Sequence, residues 1–186
     1  LGLGRNRVHR VDADEAGRMR PDRLREVLAE VRDRPVLVIA QSGNVNTGAF
    51  DPLPEIVGAV RELPNAWLHV DGAFGLWAAA SPNQRDLVAG IAGADSWTTD
   101  AHKTLNVPYD SGLAVVRDPA ALKAAMGMHG EYLVHSEDGE PLDKVPEVSR
   151  RGRAFTVWAA LRTLGRSGVA DLAERLCSNA TLIAEG

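Results

Sequence analysis

The sequence predicts an α/β fold built on a mostly parallel sheet flanked by helices, on three observations. Short apolar runs rich in β-branched residues, 35-PVLVIA-40, 67-WLHVDGA-73, 95-DSWTT-99 and 112-GLAVVRD-118, are bounded by charged or glycine-containing text and read as strands buried on both faces. Between them Leu24, Val27, Leu28 and Val31 recur at helical spacing, as do Ile56, Val57, Val60 and Leu63. The alternation of the two patterns is the third observation, because strands joined by helical crossovers run parallel and leave their ligand sites outside the carboxyl ends of the strands.

The remaining elements follow in chain order. A weaker strand is expected at 7-RVHRV-11, and a helical crossover between the strands ending at Asp71 and near Lys103. Helical text resumes at 119-PAALKAAMG-127. The polar stretch 136-SEDGEPLDKVPE-147 is too long for a tight connection and reads as a loop near the site or a surface excursion. Two helices close the chain: 153-RAFTVWAALRTLG-165, with Gly165 as its stop, and 171-DLAERLCSNATLIAE-185, with Asp171 near its cap.

Composition narrows the function. The 186 residues carry 25 acidic and 21 basic side chains, for a net charge of −4, and 45% are hydrophobic, enough to bury a core. Mild acidity repels phosphate backbones, and the basic residues are scattered apart from Arg150, Arg151 and Arg153, so no nucleic-acid partner is expected. No apolar run approaches the length of a membrane span. Cys177 is the single cysteine, which excludes an intrachain disulfide, fits a cytoplasmic protein, and is expected to be a small core hydrophobe on a helix. The chain opens on 1-LGLG-4 and closes inside a helical pattern, which reads as a fragment of a longer polypeptide.

Gly43, Asp71 and the pair His102 and Lys103 all fall at carboxyl ends of expected strands. Alone, Asp71 is an ordinary turn former and Lys103 an ordinary solvated loop lysine. Together they place a carboxylate and an amine across one crevice. A carboxylate can hold a proton on a pyridine nitrogen and an amine can condense with an aldehyde, the two anchors that pyridoxal phosphate needs. Asp71, Asp100 and His102 also admit a second reading, as ligands of a hydrolytic metal, which the adjacent lysine disfavours.

Residues 67-WLHVDGAFG-75 with 95-DSWTTDAHKTLNVPYDSG-112, preceded by 40-AQSGNVNTGAFDPL-53 and followed by 149-SRRGRAFTVWAALRTLGRSG-168, resemble the group II pyridoxal-phosphate-dependent amino-acid decarboxylases. The resemblance implies part of the large domain of a fold type I enzyme, with residues 1–150 as the cofactor-binding segment and 151–186 as helices leading toward a small C-terminal domain. It implies that Lys103 holds the cofactor as a Schiff base, that Asp71 partners its ring nitrogen, that Ala73 packs on one ring face, and that His102 lies near the phosphate and the imine. It also implies an amino-acid substrate losing its α-carboxylate, and a homodimer. No metal is expected.

Two positions depart from the family pattern. Asp100 stands where asparagine is common, and an acidic group there would repel a phosphate unless it points elsewhere. Asn44, Val45 and Asn46 replace threonines, so a contact to the cofactor or substrate would pass to Asn46. Arg150 and Arg151 match a basic pair whose alternative is a solvated helix start. An aminotransferase, a β-eliminating lyase and a non-catalytic remnant stay open beside the decarboxylase.

Overall fold

The structure is a computed structural model that describes residues 4–127, 140–147 and 149–186. Its centre is a four-stranded sheet in the order β1 (Val36–Gln41), β2 (Ala66–Asp71), β3 (Ser96–Asp100) and β4 (Gly112–Val116). The first three strands run parallel, Gln41 lying beside Asp71 and Asp71 beside Thr98, while β4 returns antiparallel with Gly112 opposite Asp100. Helices α1 (Pro21–Val31) and α2 (Leu53–Arg61) cover one face. Each begins with a proline in its first turn, where the missing N–H leaves no intrahelical bond unmade.

Period-two alternation on the strands meets the helical stripes in one core. Val38 and Ala40 from β1 and Leu68 and Val70 from β2 pack against Leu24, Leu28, Leu53, Ile56 and Val60. Burying each of the larger side chains contributes about 1.5–3 kcal/mol. A second cluster joins Ala101, Leu105 and Val107, in the turn after β3, to Val157 and Val169 of α4 (Ala154–Glu185). Helix α3 (Pro119–Met126) is capped by Asp118, whose carboxylate accepts from Ala120 and Ala121 N–H at 2.8 and 3.2 Å.

Several sequence expectations are corrected. The strands are buried on one face only: Leu37 and Ile39, on the face opposite the helices, are 51% and 58% exposed. Both α1 and α2 lie on the other side, and among the described residues no layer covers this face. Segment 7–11 forms no strand; Arg5–Arg7 is a 3-10 turn, and the nearest pairing is an isolated bridge between Ala13 and Met19. The crossover between β2 and β3 contains no α-helix but three short 3-10 turns, Leu76–Ala80, Arg85–Val88 and Ile91–Gly93. Gly75, Pro82, Gly90 and Gly93 interrupt it too often for α-helical hydrogen bonding to propagate.

At the C-terminus, Gly165 does break the helical geometry, with φ 62° and ψ −174°, but the helix resumes at once, so Asp171 lies inside it rather than at a cap. Cys177 is exposed on that helix, not in the core, because the second half of α4 has only one side against the protein. Residues 136–139 of the polar stretch lie outside the described residues. Its remainder folds into a 3-10 turn at Pro141–Lys144, where the buried Asp143 pairs with Lys123 at 3.3 Å.

One buried carboxylate joins the N-terminal segment to the sheet. Asp51 accepts from Met19 N–H and from Gln41 N–H, both at 2.7 Å, so it pins the lead-in to α1 against the last residue of β1. Removing it leaves two partly buried N–H groups without their acceptor. Asp51→Ala is expected to lower unfolding free energy by about 2–4 kcal/mol, read from urea denaturation midpoints at unchanged m-value; a loss below about 0.5 kcal/mol would show that water takes over both bonds.

Candidate active site

Because β1, β2 and β3 run parallel, their carboxyl ends open onto one edge. Three loops meet there and are stitched by main-chain hydrogen bonds. Ser42 N–H donates to Asp71 O at 2.8 Å and Gly75 N–H to Ser42 O at 3.1 Å; Gly72 N–H donates to Thr98 O at 2.9 Å. The β1 loop and the β2 loop approach so closely that a Cβ on Gly43, whose φ is +85°, would lie 2.6 Å from Gly75 Cα. Gly72 is equally confined, since a Cβ there would come within 2.6 Å of Leu76 Cβ.

Asp71 ends β2 on the face opposite the helical core, and its Oδ1 accepts from Ala73 N–H at 3.0 Å. The turn after β3 carries His102 and Lys103. It is anchored to the β2 loop by Thr104 Oγ1, which donates to Phe74 O at 3.1 Å, and by Trp77 Nε1, which donates to Asp100 O at 3.4 Å. The Lys103 ammonium lies 2.9 Å from Asp100 Oδ2 and 3.9 Å from the centroid of the Phe74 ring. A carboxylate and an aromatic face thus share one amine, the second contributing about 0.5–2 kcal/mol where water is partly excluded.

The sequence-derived residues divide accordingly. Asp71, Ala73, Asp100, His102 and Lys103 gather at this edge. Asp100 does point elsewhere than toward an anion, onto Lys103 and toward His102, whose Nε2 is 3.8 Å away. Asn46 lies in the same loop as Gly43, but its backbone N–H bonds to Asn44 Oδ1 at 2.9 Å within that loop. Of the arginines, Arg151 and Arg153 bind Asp110, while Arg150 is exposed and has no ion pair among the described residues. Asp71, Asp100 and His102 do not converge as a metal cluster among the described residues.

Sequence reasoning missed three contributors. His69 shares the Asp71 face of β2 by strand alternation, a signal that the motif 69-HVD-71 does contain. Its Nδ1 meets Ser96 Oγ at 2.8 Å, which also accepts from Trp67 Nε1 at 2.8 Å, and its Nε2 meets Thr98 Oγ1 at 3.4 Å. Burial pushes the imidazole below its ordinary range, opposed by the charge of Asp71. Phe74 had no signal beyond being aromatic. Asp110 is the third; Arg153 binds both its oxygens, at 3.0 and 3.1 Å, and this hydrogen bonding, joined by the charge of Arg151, holds its carboxyl below the usual range.

Fold and geometry define an α/β protein with a mostly parallel sheet, at whose carboxyl edge the end of β2 carries the Asp71 carboxylate and the turn after β3 the Lys103 amine. The pyridoxal-dependent decarboxylase conserved domain matches residues 3–186, and the chain belongs to that family. It is 35% identical over 173 residues to the aromatic-L-amino-acid decarboxylase of Bacillus atrophaeus, covering 89% of this chain and 36% of that protein. It is also 35% identical to the acidic amino acid decarboxylase of Mus musculus over 184 residues, 94% of this chain and 33% of the relative. The crystal structure of mouse CSAD superposes with a TM-score of 0.90 at 30% identity, over 100% of this chain and 40% of that one. The chain therefore spans roughly a third to two fifths of the length of the relatives it matches.

Two pH effects follow from the site. A carboxyl held low in the folded state lends stability that is complete above its unfolded value, about pH 4, and is lost as pH falls through the folded value. Acidification below about pH 4 should therefore release the Arg153–Asp110 contact, and Asp110→Asn should flatten that limb of the stability profile measured by thermal unfolding. For His69, whose charged form is disfavoured by burial, an NMR titration should place the ring midpoint below about 6.5; a midpoint above it would mean that the Asp71 charge outweighs desolvation.

Proposed function

We propose that the chain is the cofactor-binding part of a pyridoxal-phosphate-dependent carboxy-lyase that removes the α-carboxylate of an amino acid. The observation that supports this is the interlocking of the Asp71 and Lys103 loops on one sheet edge, which sets a carboxylate and an amine on adjoining loops there. The donor set fits the cofactor: an amine for its aldehyde, a carboxylate for its ring nitrogen, and the small residues Gly72 and Ala73 between them, which leave room for a flat ring. Membership in the family and relatives named as decarboxylases support carboxylate loss over other bond cleavages.

When bound, pyridoxal phosphate supplies an electron sink for the pair released as a bond to the substrate α-carbon breaks. The chain's own residues do the rest. Asp71 holds a proton at the ring nitrogen, which makes the sink effective. Lys103 Nζ provides the attaching amine, and Asp100 Oδ2 is the carboxylate oxygen against which that amine rests. Ala73 is the small residue that would pack against one ring face, and His102 stands beside Asp100 as the adjacent polar group. Asn46 is proposed to reach the cofactor or substrate only by turning out of its loop, since its backbone is committed to Asn44.

The relatives act on amino acids of contrasting side chains, aromatic in one name and acidic in another, so the proposed substrate is the shared α-amino-acid core. The family resemblance supports a homodimer, and the single cysteine supports a cytoplasmic setting.

The test is covalent. The intact protein incubated with pyridoxal phosphate should turn yellow, and borohydride should fix the cofactor to the peptide containing Lys103, with no such label in Lys103→Ala. Labelling of Lys123 or Lys144 instead would overturn the reading. Asp71→Ala should still take the label at Lys103 while carbon dioxide release from the preferred amino acid falls by about 10²–10³-fold, the scale of one preorganised electrostatic group. Wild-type turnover in that variant would remove Asp71 from its role.

A further inference from the structure

His102 Nδ1 lies 2.9 Å from both the nitrogen and the oxygen of Ser111. The two contacts make opposite demands, since the N–H requires a lone pair on Nδ1 and the carbonyl requires a proton there. The surrounding bonds decide between them. Ser111 O already accepts from Ala101 N–H at 2.8 Å and from His102 N–H at 3.3 Å. Ser111 is 1% exposed, and among the described residues its N–H has no acceptor other than this imidazole. Leaving that buried N–H unsatisfied would carry the full desolvation penalty of the group. Nδ1 therefore accepts, and the proton of the neutral ring lies on Nε2, the atom 3.8 Å from Asp100 Oδ2.

The tautomer then depends on whatever holds Ser111 N–H in place, and the neighbouring residue does so. Arg153 grips both carboxylate oxygens of Asp110, and Arg151 Nη2 binds Asp110 Oδ1 at 3.1 Å together with the main-chain oxygens of Tyr109 and Asp110 at 3.1 and 3.0 Å. The Tyr109 ring meets His102 edge-on, with centroids 4.3 Å apart. Both arginines lie just before α4, whose Val157 packs with Leu105 and Val107 of the same turn. The base of α4 is thereby clasped to the loop facing His102. Exposed ion pairs of this kind contribute little to folding because water screens them, so the clasp is better placed to set geometry than stability.

We propose that Asp110, held by Arg151 and Arg153, is a positioning residue that keeps Ser111 N–H on His102 Nδ1 and so directs the Nε2 proton toward Asp100, the carboxylate against which the Lys103 amine rests. The proposal takes from the preceding reading only that this edge receives the cofactor.

The experiment uses the intact protein, labelled with ¹⁵N in histidine, and long-range ¹H–¹⁵N correlation of the neutral rings. Wild type should show His102 with an unprotonated Nδ1 and a protonated Nε2. Asp110→Asn should shift His102 toward a mixture of tautomers and slow borohydride-trapped capture of pyridoxal phosphate at Lys103 by roughly ten- to a hundredfold, the scale of a small misplacement at a reacting centre. Asp110→Glu should restore both. Should Asp110→Asn fail to fold, Arg153→Gln makes the same prediction from the other partner.

A wild-type proton on Nδ1, or unchanged His102 shifts and capture rate in the folded variants, overturns the proposal. If Lys103 in wild type captures no cofactor, the functional reading fails by itself, and the tautomer comparison still decides the role of Asp110.

Discussion

The parallel course of β1, β2 and β3 is the constraint on which the rest of the molecule depends, because it sends three chain reversals to the same edge and makes them satisfy one another's main-chain groups. Ser42 bonds to Asp71, Gly72 to Thr98, and Asp100 to Ala73, each across a strand boundary. A slip of one residue in β2 would turn Asp71 into the helical core and bring Val70 to the open face. The glycines at 43, 72 and 75 belong to the same constraint, since side chains at those points would force the loops apart. The Lys103 turn hangs on this framework through Phe74 and Trp77.

Charge at the edge is arranged in pairs. Asp100 neutralises the Lys103 amine at 2.9 Å and stands toward His102, so the acid that replaces the family's common asparagine is turned to a cation. A few residues on, Arg151 and Arg153 neutralise Asp110. The two acidic side chains at either end of the segment 100–110 are each paired with cations, Asp100 with one inside the segment and Asp110 with two just before α4. Exposed pairs contribute little stability, so their value here lies in orientation.

The outer face of the sheet has a mixed character. Leu37 and Ile39 are exposed on β1, whereas β2 and β3 present Trp67, Ser96, His69 and Thr98 linked by hydrogen bonds. Reading 35-PVLVIA-40 as buried on both sides followed from its unbroken apolar run, which does not by itself say how many faces are covered. What the described residues supply is one layer. The loss of an α-helix between β2 and β3 has a different origin: glycine and proline density was visible in the text, but only the packing of Leu76 against Gly72 and of Val88 shows how short 3-10 turns fill that space.

By itself the sequence determined the four strands, the helical stripes of α1 and α2, and the placing of Asp71 at a strand end with Lys103 just beyond the next, because these depend on local patterning and on a fixed side-chain period. It carried the family resemblance in the same way, as short contiguous motifs. Only the tertiary structure decided that one sheet face is covered, that β4 returns antiparallel, that Asp100 rests on Lys103, and that Arg151 and Arg153 rather than Arg150 hold the site loop. Nearly all of those outcomes are contacts between groups far apart in sequence or choices between adjacent like residues, where local propensity is silent and three-dimensional packing selects the partner.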